Sequence, residues 1–236
     1  MINEILWIVL MLFSFAGVML AYRLFGRLGL YMWMAISVIL ANIQVMKTVE
    51  IFGLVTALGS IVYSTTFLAT DILNENYGKK AAHKAVWIGF FVLITVTVLM
   101  QICLFFVPHE SDVLSPALEQ IFGFLPRIAF ASLLAYTISQ NHDVWAYGFW
   151  KKFFKGKHLW LRNNLSTCVS QLIDNIIFTY IAFVGLFGLF RWQQIFSWDI
   201  IFQIFIVSYI LKLVVSVSDT PFIYLSRFFK KKYKLN

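Results

Sequence analysis

This sequence is built from long apolar segments that very few charged residues interrupt. A helix needs about 20 mostly apolar residues to cross a hydrocarbon core of ~30 Å. Stretches that meet this need lie at 5–22, 30–47, 51–73, 85–107, 120–141, 165–190 and 199–218. Hydrophobic residues make up 61% of the 236 residues and charged residues only 13%, about half the share in a soluble domain. The sequence therefore predicts an all-α integral membrane protein, a single transmembrane domain over 1–236 with about seven transmembrane helices.

The charged residues alternate in sign from one segment end to the next. Basic residues follow the first, third, fifth and seventh segments, and acidic residues occupy most other ends, with Lys47 and Arg191 as exceptions. Because basic loops stay in the cytoplasm, this pattern predicts a multi-pass plasma-membrane protein with its N-terminus outside and its C-terminus in the cytoplasm. It places residues 142–163 and a basic tail within 219–236 in the cytoplasm, and the loop 108–116 outside. The net charge of +8 is then an orientation signal, and no nucleic-acid partner is expected.

Polar side chains occur within or beside several of the predicted spans. Charged groups at membrane depth are costly unless they face a bundle interior or a water-filled cavity. A single intramembrane amide can instead serve as a helix–helix hydrogen bond of about 0.6 kcal/mol. Because several helices carry such groups, we expect a ligand cavity. The candidate substrate-binding residues are Asn42, Gln44, Asp71, Asn74, Glu75, Arg127, Asn163, Gln171, Asp174 and Lys212.

The charged candidates differ in their expected depth. Asp71 and Glu75 are four residues apart and share one helical face, although Glu75 could simply mark the cytoplasmic interface. Asp174 lies about nine residues beyond the inner boundary, which at 1.5 Å per residue is ~14 Å deep and near the midplane. Lys212 could pair with Asp71 or with Asp174. Alternatively, its long stem could carry the ammonium group to the interface.

Two sets of candidates carry further expectations. Asn42 and Gln44 point to different faces of one helix, so both cannot line one site equally. Arg127 follows Pro126 at the start of its segment, and we expect it to anchor that helix at the outer interface.

Carboxylates and amides on an aromatic wall suit a flat heterocycle as the ligand. Amino and ring N–H groups donate to carboxylates, carbonyl oxygens accept from amides or ammonium groups, and aromatic side chains stack on the ring. The sequence shows no nucleophile–base arrangement and no phosphate-binding loop, so we expect neither an enzyme nor a cofactor. Cys103 and Cys168 are expected to pack in apolar surroundings, and the scattered histidines predict no metal site.

Three ordered motifs resemble the vitamin uptake transporter family, which is also called the queuosine-precursor transporter family. They are "FLATDILNENYGKKAA", "PRIAFASLLAYTISQNHDVW" and "WLRNNLSTCVSQLIDNIIF", and the similarity spans roughly 30–226. The resemblance implies import of 7-deazaguanine bases, such as 7-cyano-7-deazaguanine, for salvage in tRNA modification. It also implies a fold similar to the substrate-binding subunits of energy-coupling-factor transporters. Those subunits have six helices, so the segment 5–22 is an extra N-terminal helix. The polar positions that match the motifs are Asp71, Glu75, Arg127, Asn163, Gln171 and Asp174.

Three classes of function compete for this chain. A transporter that works alone is favoured over a binding subunit of an ATP-driven uptake system and over a membrane scaffold or embedded enzyme. A homodimer or an energising module remains open as a partner, beside the small-molecule substrate and the lipid bilayer. We favour Asp174 as the carboxylate that recognises the base, because it is nearest the midplane and shares its stripe with Gln171. Asp71 would then lie toward the inner gate and hold Lys212 or a proton.

Overall fold

The computed structural model describes residues 2–186 and 192–233 and is predominantly helical. Among these residues, five stretches are long and apolar enough to cross a membrane, and they lie within Ile2–Gln44, Lys79–Leu104, Ser115–Phe153, Leu159–Val184 and Trp198–Tyr233. The predicted all-α membrane protein is confirmed at this level. The elements in chain order are α1 (Ile2–Gln44), β1 (Thr48–Ile51), β2 (Leu54–Ala57), α2 (Ser60–Tyr77), α3 (Lys79–Leu104), α4 (Ser115–Phe122), α5 (Leu125–Phe153), α6 (Leu159–Thr179), a π-helical turn (Tyr180–Val184) and α7 (Trp198–Tyr233).

Helix α1 folds back on itself at Gly26. The backbone of Gly26 has φ 58° and ψ −136°, a conformation that glycine adopts without the steric cost of a Cβ. A Cβ built on Gly17 would lie 2.4 Å from the ring of Trp33, although these residues would be ~24 Å apart in a straight helix. The two halves of α1 therefore pack as an antiparallel pair. They contain the predicted segment 5–22 and residues 30–44 of the predicted segment 30–47.

This close helix–helix contact predicts the effect of adding one methyl group at Gly17. The Trp33 ring cannot yield easily, because its Nε1 donates to Thr65 Oγ1 at 2.9 Å. Gly17→Ala should therefore lower the free energy of unfolding by ~1–3 kcal/mol through overpacking. Gly148→Ala in α5 is the matched control, since its Cβ would meet no atom within 4 Å and alanine favours a helix by up to ~1 kcal/mol. Thermal unfolding of both variants in detergent tests this, and equal stability would contradict the tight contact.

A short β-hairpin follows α1, where the sequence predicted the start of a membrane helix. Residues 51–57, placed in the span 51–73, are strand and turn, so that part of the prediction is wrong. Five of the eight strand residues, Thr48, Val49, Ile51, Val55 and Thr56, are β-branched, and such residues favour strands. Phe52 and Gly53 both have positive φ, the conformation of a two-residue hairpin turn. Helix α2 begins only at Ser60, after Gly59 with φ 95°, and continues to Tyr77.

Other helix boundaries also differ from the predicted segments. Helix α5 continues to Phe153 and α6 begins at Leu159, so most of the predicted loop 142–163 is helical. Helix α7 extends to Tyr233, which makes most of the predicted tail 219–236 part of a helix. The polar residues that suggested loops here are in part buried between helices, where packing supports the helical conformation. Residues 187–190 at the end of the segment 165–190 lie outside the described residues.

The two ends of the bundle differ in their chemistry. Asn3 and Glu4 at the start of α1 hydrogen-bond to the β-hairpin, and β2 packs against α7 through Val55 N and Gln203 Oε1 at 3.1 Å. We call this the hairpin end. The opposite end carries the turn at Gly26, the α2–α3 and α5–α6 connections and the last turns of α7. Most lysines and arginines lie there, and we call it the basic end.

Candidate functional site

A cavity with about 510 Å³ of space not filled by protein atoms lies beneath the β-hairpin. Its walls come from the second half of α1, the β2–α2 connection, α2, α5, α6, the π-helical turn and α7. Both polar side chains and aromatic rings line it. Those that matter for its chemistry are Asn42, Tyr63, Asp174, Asn175, Phe178 and Lys212.

A buried ion pair forms the polar side of this cavity. Lys212 Nζ donates to Asp174 Oδ2 at 2.8 Å and to Asn175 Oδ1 at 3.2 Å. Asp174 Oδ1 accepts hydrogen bonds from Tyr63 OH at 2.7 Å and Ser139 Oγ at 3.2 Å. The side chains of Lys212 and Asp174 are only 5% and 3% exposed. The idea that Lys212 reaches the interface is therefore wrong, and its partner is Asp174 rather than Asp71.

Asn42 lies on another wall of the same cavity with its amide already oriented. Its Nδ2 donates to Val38 O at 2.7 Å, and its Oδ1 accepts from Ser132 Oγ at 2.6 Å. Gln44, two residues further on, is only half-buried. The structure thus agrees with the expectation that these two amides point to different faces, and Asn42 is the one that lines the cavity.

Three buried carboxyl groups form a second polar region between α2, α5 and α7. Asp71, Asp143 and Asp219 are each at most 1% exposed. The carboxyl groups of Asp71 and Asp143 lie within hydrogen-bonding reach of each other, and Asp219 Oδ1 accepts from Asn163 Nδ2 at 3.2 Å. We call Asp71, Asp143, Asp219 and Asn163 the acidic cluster. It brings together the candidates Asp71 and Asn163, but these residues do not line the cavity.

Glu75 belongs to neither region. Its Oε2 accepts from Arg162 Nη2 at 2.7 Å, from Lys151 Nζ at 3.1 Å and from Tyr147 OH at 3.2 Å. Its Oε1 accepts from Arg227 Nε at 2.7 Å. The Glu75 side chain is 4% exposed and that of Arg162 is fully buried. These contacts tie α2, α5, α6 and α7 together at the basic end, and we call these five residues the ion cluster.

The remaining candidates occupy separate positions. Both side-chain amide atoms of Gln171 are buried and have no hydrogen-bond partner in the described part of the chain. Asn74 Nδ2 donates weakly to Val144 O at 3.4 Å. Arg127 lies at the hairpin end, where its Nη1 donates to Gln193 O at 2.7 Å. That contact holds α5 to the segment before α7, and Arg127 is distant from the ion pair in the cavity.

Sequence reasoning missed the structural importance of Asp143 and Arg162. Both fall in the stretch 142–163 that was interpreted as a cytoplasmic loop, whereas the structure buries them in α5 and α6. A helical signal was present, because Tyr136, Ser139, Asp143 and Tyr147 recur at intervals of three and four residues and all are buried. Because that face is polar, a search for long apolar segments does not detect the helix.

Apolar helices around a buried polar cavity define a multi-pass membrane protein of the transporter class. A family model described as "Putative vitamin uptake transporter" matches residues 57–226. The chain belongs to this family, as the motifs predicted, and the family is one of transporters rather than enzymes. No solved structure matches the chain, so similarity to energy-coupling-factor subunits stays a prediction.

Curated relatives support the same assignment over nearly the whole chain. A protein of Bacillus subtilis (strain 168) named "Probable queuosine precursor transporter" is 46% identical over 228 residues, which cover 96% of each chain. The "Queuosine precursor transporter" of Escherichia coli (strain K12) is 27% identical over 179 residues, or 75% of each chain.

Proposed function

We propose that this protein imports queuosine precursors, 7-deazaguanine bases, across the plasma membrane. The observation that carries the proposal is the buried Asp174–Lys212 pair, which places an acceptor and a donor side by side in a partly aromatic cavity. The names of the relatives support the choice of substrate class.

The chemistry of the base matches the groups in the cavity. A guanine-type ring presents N1–H and a 2-amino group side by side, and one carboxylate can accept from both. Asp174 is the carboxylate that lines the cavity, while Lys212 can donate to the carbonyl oxygen of the base. Tyr63 and Phe178 supply rings on which the heterocycle can stack. Because Asp174 already accepts from Tyr63, Ser139 and Lys212, base binding must displace or share some of these donors.

Substrate enters from the hairpin end in this proposal. The cavity lies under the β-hairpin, and the ion cluster around Glu75 holds four helices together at the opposite end. Release into the cytoplasm would require those helix ends to separate. A transporter has to close one side while the other opens, and in this proposal the ion cluster keeps the basic end closed.

The orientation in the membrane is part of the same proposal. We infer seven crossings, two of them from the halves of α1, with the basic end in the cytoplasm according to the positive-inside rule. Ser111→Cys should react with a membrane-impermeant thiol reagent added to intact cells, and Lys155→Cys should not. Both cysteines are introduced into a Cys103→Ala/Cys168→Ala background, because the exposed Cys103 would itself react. Labelling of Lys155→Cys without labelling of Ser111→Cys would indicate the opposite orientation.

The function is tested by uptake into proteoliposomes that contain this protein and no other. Labelled 7-cyano-7-deazaguanine should enter these vesicles and exchange with unlabelled base inside them. Empty vesicles and labelled adenine, whose ring lacks the paired N1–H and 2-amino donors, serve as controls. Binding of the base without any uptake would favour the alternative, a binding subunit that depends on an ATP-driven module. Absence of both binding and uptake would exclude the proposed substrate.

A further inference from the structure

The acidic cluster has no role in the recognition of the base described above. Its members come from four helices: Asp71 from α2, Asp143 from α5, Asn163 from α6 and Asp219 from α7. All four are at least 99% buried. Burial of a charged carboxylate without a compensating partner is strongly unfavourable. The cluster therefore needs an explanation that the packing alone does not give.

Unsatisfied acceptor atoms are concentrated in this cluster. Asp71 Oδ2, both carboxyl oxygens of Asp143 and Asn163 Oδ1 have no hydrogen-bond donor among the described residues. Asn163 is oriented toward the cluster, because its Nδ2 donates to Asp219. Buried polar atoms in folded proteins are nearly always paired, so this group of orphaned acceptors indicates a missing donor or positive charge.

The neighbouring cations pair with other carboxylates. Lys212 pairs with Asp174, and Arg162 pairs with Glu75 through Nη2, while its Nε and Nη1 have no hydrogen-bond partner among the described residues. The charged groups that act on Asp71 are the carboxyls of Asp143, Asp219 and Glu75, so the charges around it are mainly negative. Tyr147 on α5 and Arg162 on α6 also face this region, as does His142 through Ser170. Three hydroxyl groups of α6, at Ser166, Thr167 and Ser170, also lie beside Asp143. Those of Ser166 and Ser170 already donate to backbone carbonyls of α6, so Thr167 Oγ1, which has no other partner among the described residues, is the hydroxyl free to donate to Asp143.

The missing charge fits a proton better than a metal ion. Within residues 2–186 and 192–233, no three acidic, histidine or cysteine side chains converge closely enough to hold a metal. Two carboxyl groups within hydrogen-bonding reach are instead the arrangement in which one proton is shared, because two adjacent negative charges repel. A protonated carboxyl supplies the donor that its neighbour lacks.

We propose that Asp71 and Asp143 form a proton-binding pair that couples substrate import to proton entry. The coupling rests on the transport function proposed above, whereas the proton site itself does not. A proton from the hairpin end binds the pair and is released at the basic end, so that one positive charge moves inward and no bond of the substrate is changed. Ser170 provides a route to water, because its Oγ lies 2.8 Å from His142 Nδ1 and beside Asp143.

The first test needs no substrate. Infrared difference spectra of the purified protein, recorded while the pH is raised, should show the loss of a protonated-carboxyl band. Asp143→Asn and Asp71→Asn should each remove that band, whereas Asp199→Asn should leave it unchanged. Asp199 is the matched control because it is an exposed aspartate at the start of α7. A spectrum in which Asp143→Asn retains the full band would overturn the assignment of the site.

The second test separates coupling from transport itself. Wild-type protein and Asp199→Asn in proteoliposomes should accumulate labelled 7-cyano-7-deazaguanine when the exterior is acidic. Asp143→Asn should lose this accumulation but still exchange labelled for unlabelled base at equal pH, because the pair then has a single carboxyl group and no second negative charge that a shared proton must neutralise. Asp71→Asn provides the same test if Asp143→Asn does not fold.

The outcomes distinguish this inference from the proposed function. Exchange in the wild type without any effect of the pH gradient, or with stimulation by sodium instead, would overturn proton coupling and leave the transport function intact. Accumulation by Asp143→Asn that still follows the pH gradient would also overturn the assignment to this pair. Loss of exchange in the wild type would refute the substrate, while the infrared band would still decide the proton site.

Discussion

Lys212→Met is expected to cause one of the largest losses of stability that a single substitution can produce in this protein. Methionine keeps the length of the lysine stem but removes the ammonium group, so Asp174 is left as a buried carboxylate without its cation. Breaking a buried pair in this way costs ~3–5 kcal/mol, mostly because one charge remains uncompensated. Thermal unfolding of the purified variant in detergent should show a clearly lower melting temperature than that of the wild type.

A second substitution distinguishes the lost pair from a lost packing contact. In Lys212→Met/Asp174→Asn both charges are gone, and replacing a buried pair by neutral groups is often nearly neutral for stability. The double variant should therefore be more stable than Lys212→Met. Its loss of stability should be well below the sum of the losses in the two single variants, as expected for residues in contact. Lys80→Met, at an exposed position in the first turn of α3, is the control and should unfold like the wild type. An unchanged melting temperature in Lys212→Met would contradict the pair.

Asp174→Asn should produce the largest loss of substrate binding. Asparagine has the same shape, but its amide offers one acceptor where the carboxylate offers two, so it cannot accept from both N1–H and the 2-amino group. Hydrogen bonds to a charged group contribute ~1.5–3 kcal/mol, which corresponds to a dissociation constant about 10- to 150-fold higher. Isothermal titration of the purified variant with 7-cyano-7-deazaguanine measures this change directly.

A ligand analogue shows whether the lost contact is the one proposed. A base that lacks the 2-amino group should bind the wild type more weakly, since the buried acceptor is left unpaired. It should lose little further affinity in Asp174→Asn. Asp71→Asn is the comparison variant, and it should slow transport more than it weakens binding because Asp71 does not line the cavity. Full affinity in Asp174→Asn would transfer the recognition role to Asp71.

The positions of charged residues along the chain predicted their location in the fold where the need for contact with water decides it. The gathering of most basic residues at one end of the bundle follows from the alternation of basic and acidic segment ends in the sequence. The burial of Asp174 was also predictable, because a charged group inside an apolar segment is costly unless it faces the interior of the bundle. Its depth in the membrane stays a prediction.

The ion-pair partner of each buried charged residue could not be predicted from the sequence in the same way. From the sequence, either Asp71 or Asp174 could be the partner of Lys212. Asp174 is separated from Lys212 by 38 positions in sequence. Which carboxylate it meets depends on the rotation and packing of α6 against α7, and these are set by the whole set of contacts. Glu75 shows the same dependence, because its partners lie on α5, α6 and α7.

The hairpin and Asp143 illustrate two failures of reasoning from apolar length. The stretch that includes Ile51, Leu54 and Val55 is apolar enough to continue a membrane helix, but pairing with a neighbouring strand and contacts with α7 favour the extended form. Asp143 lies in a polar part of α5 that resembles a loop until other helices cover it.

Apolar segment lengths, motif order and the alternation of charge were enough to establish a helical membrane protein of a recognised transporter family, because burial in lipid imposes its requirements on each segment separately. The cavity, the Asp174–Lys212 pair, the acidic cluster and the turn of α1 at Gly26 required the assembled bundle. Each of these arises where side chains distant in sequence compete for the same buried partners, and that competition is resolved only by their positions in space.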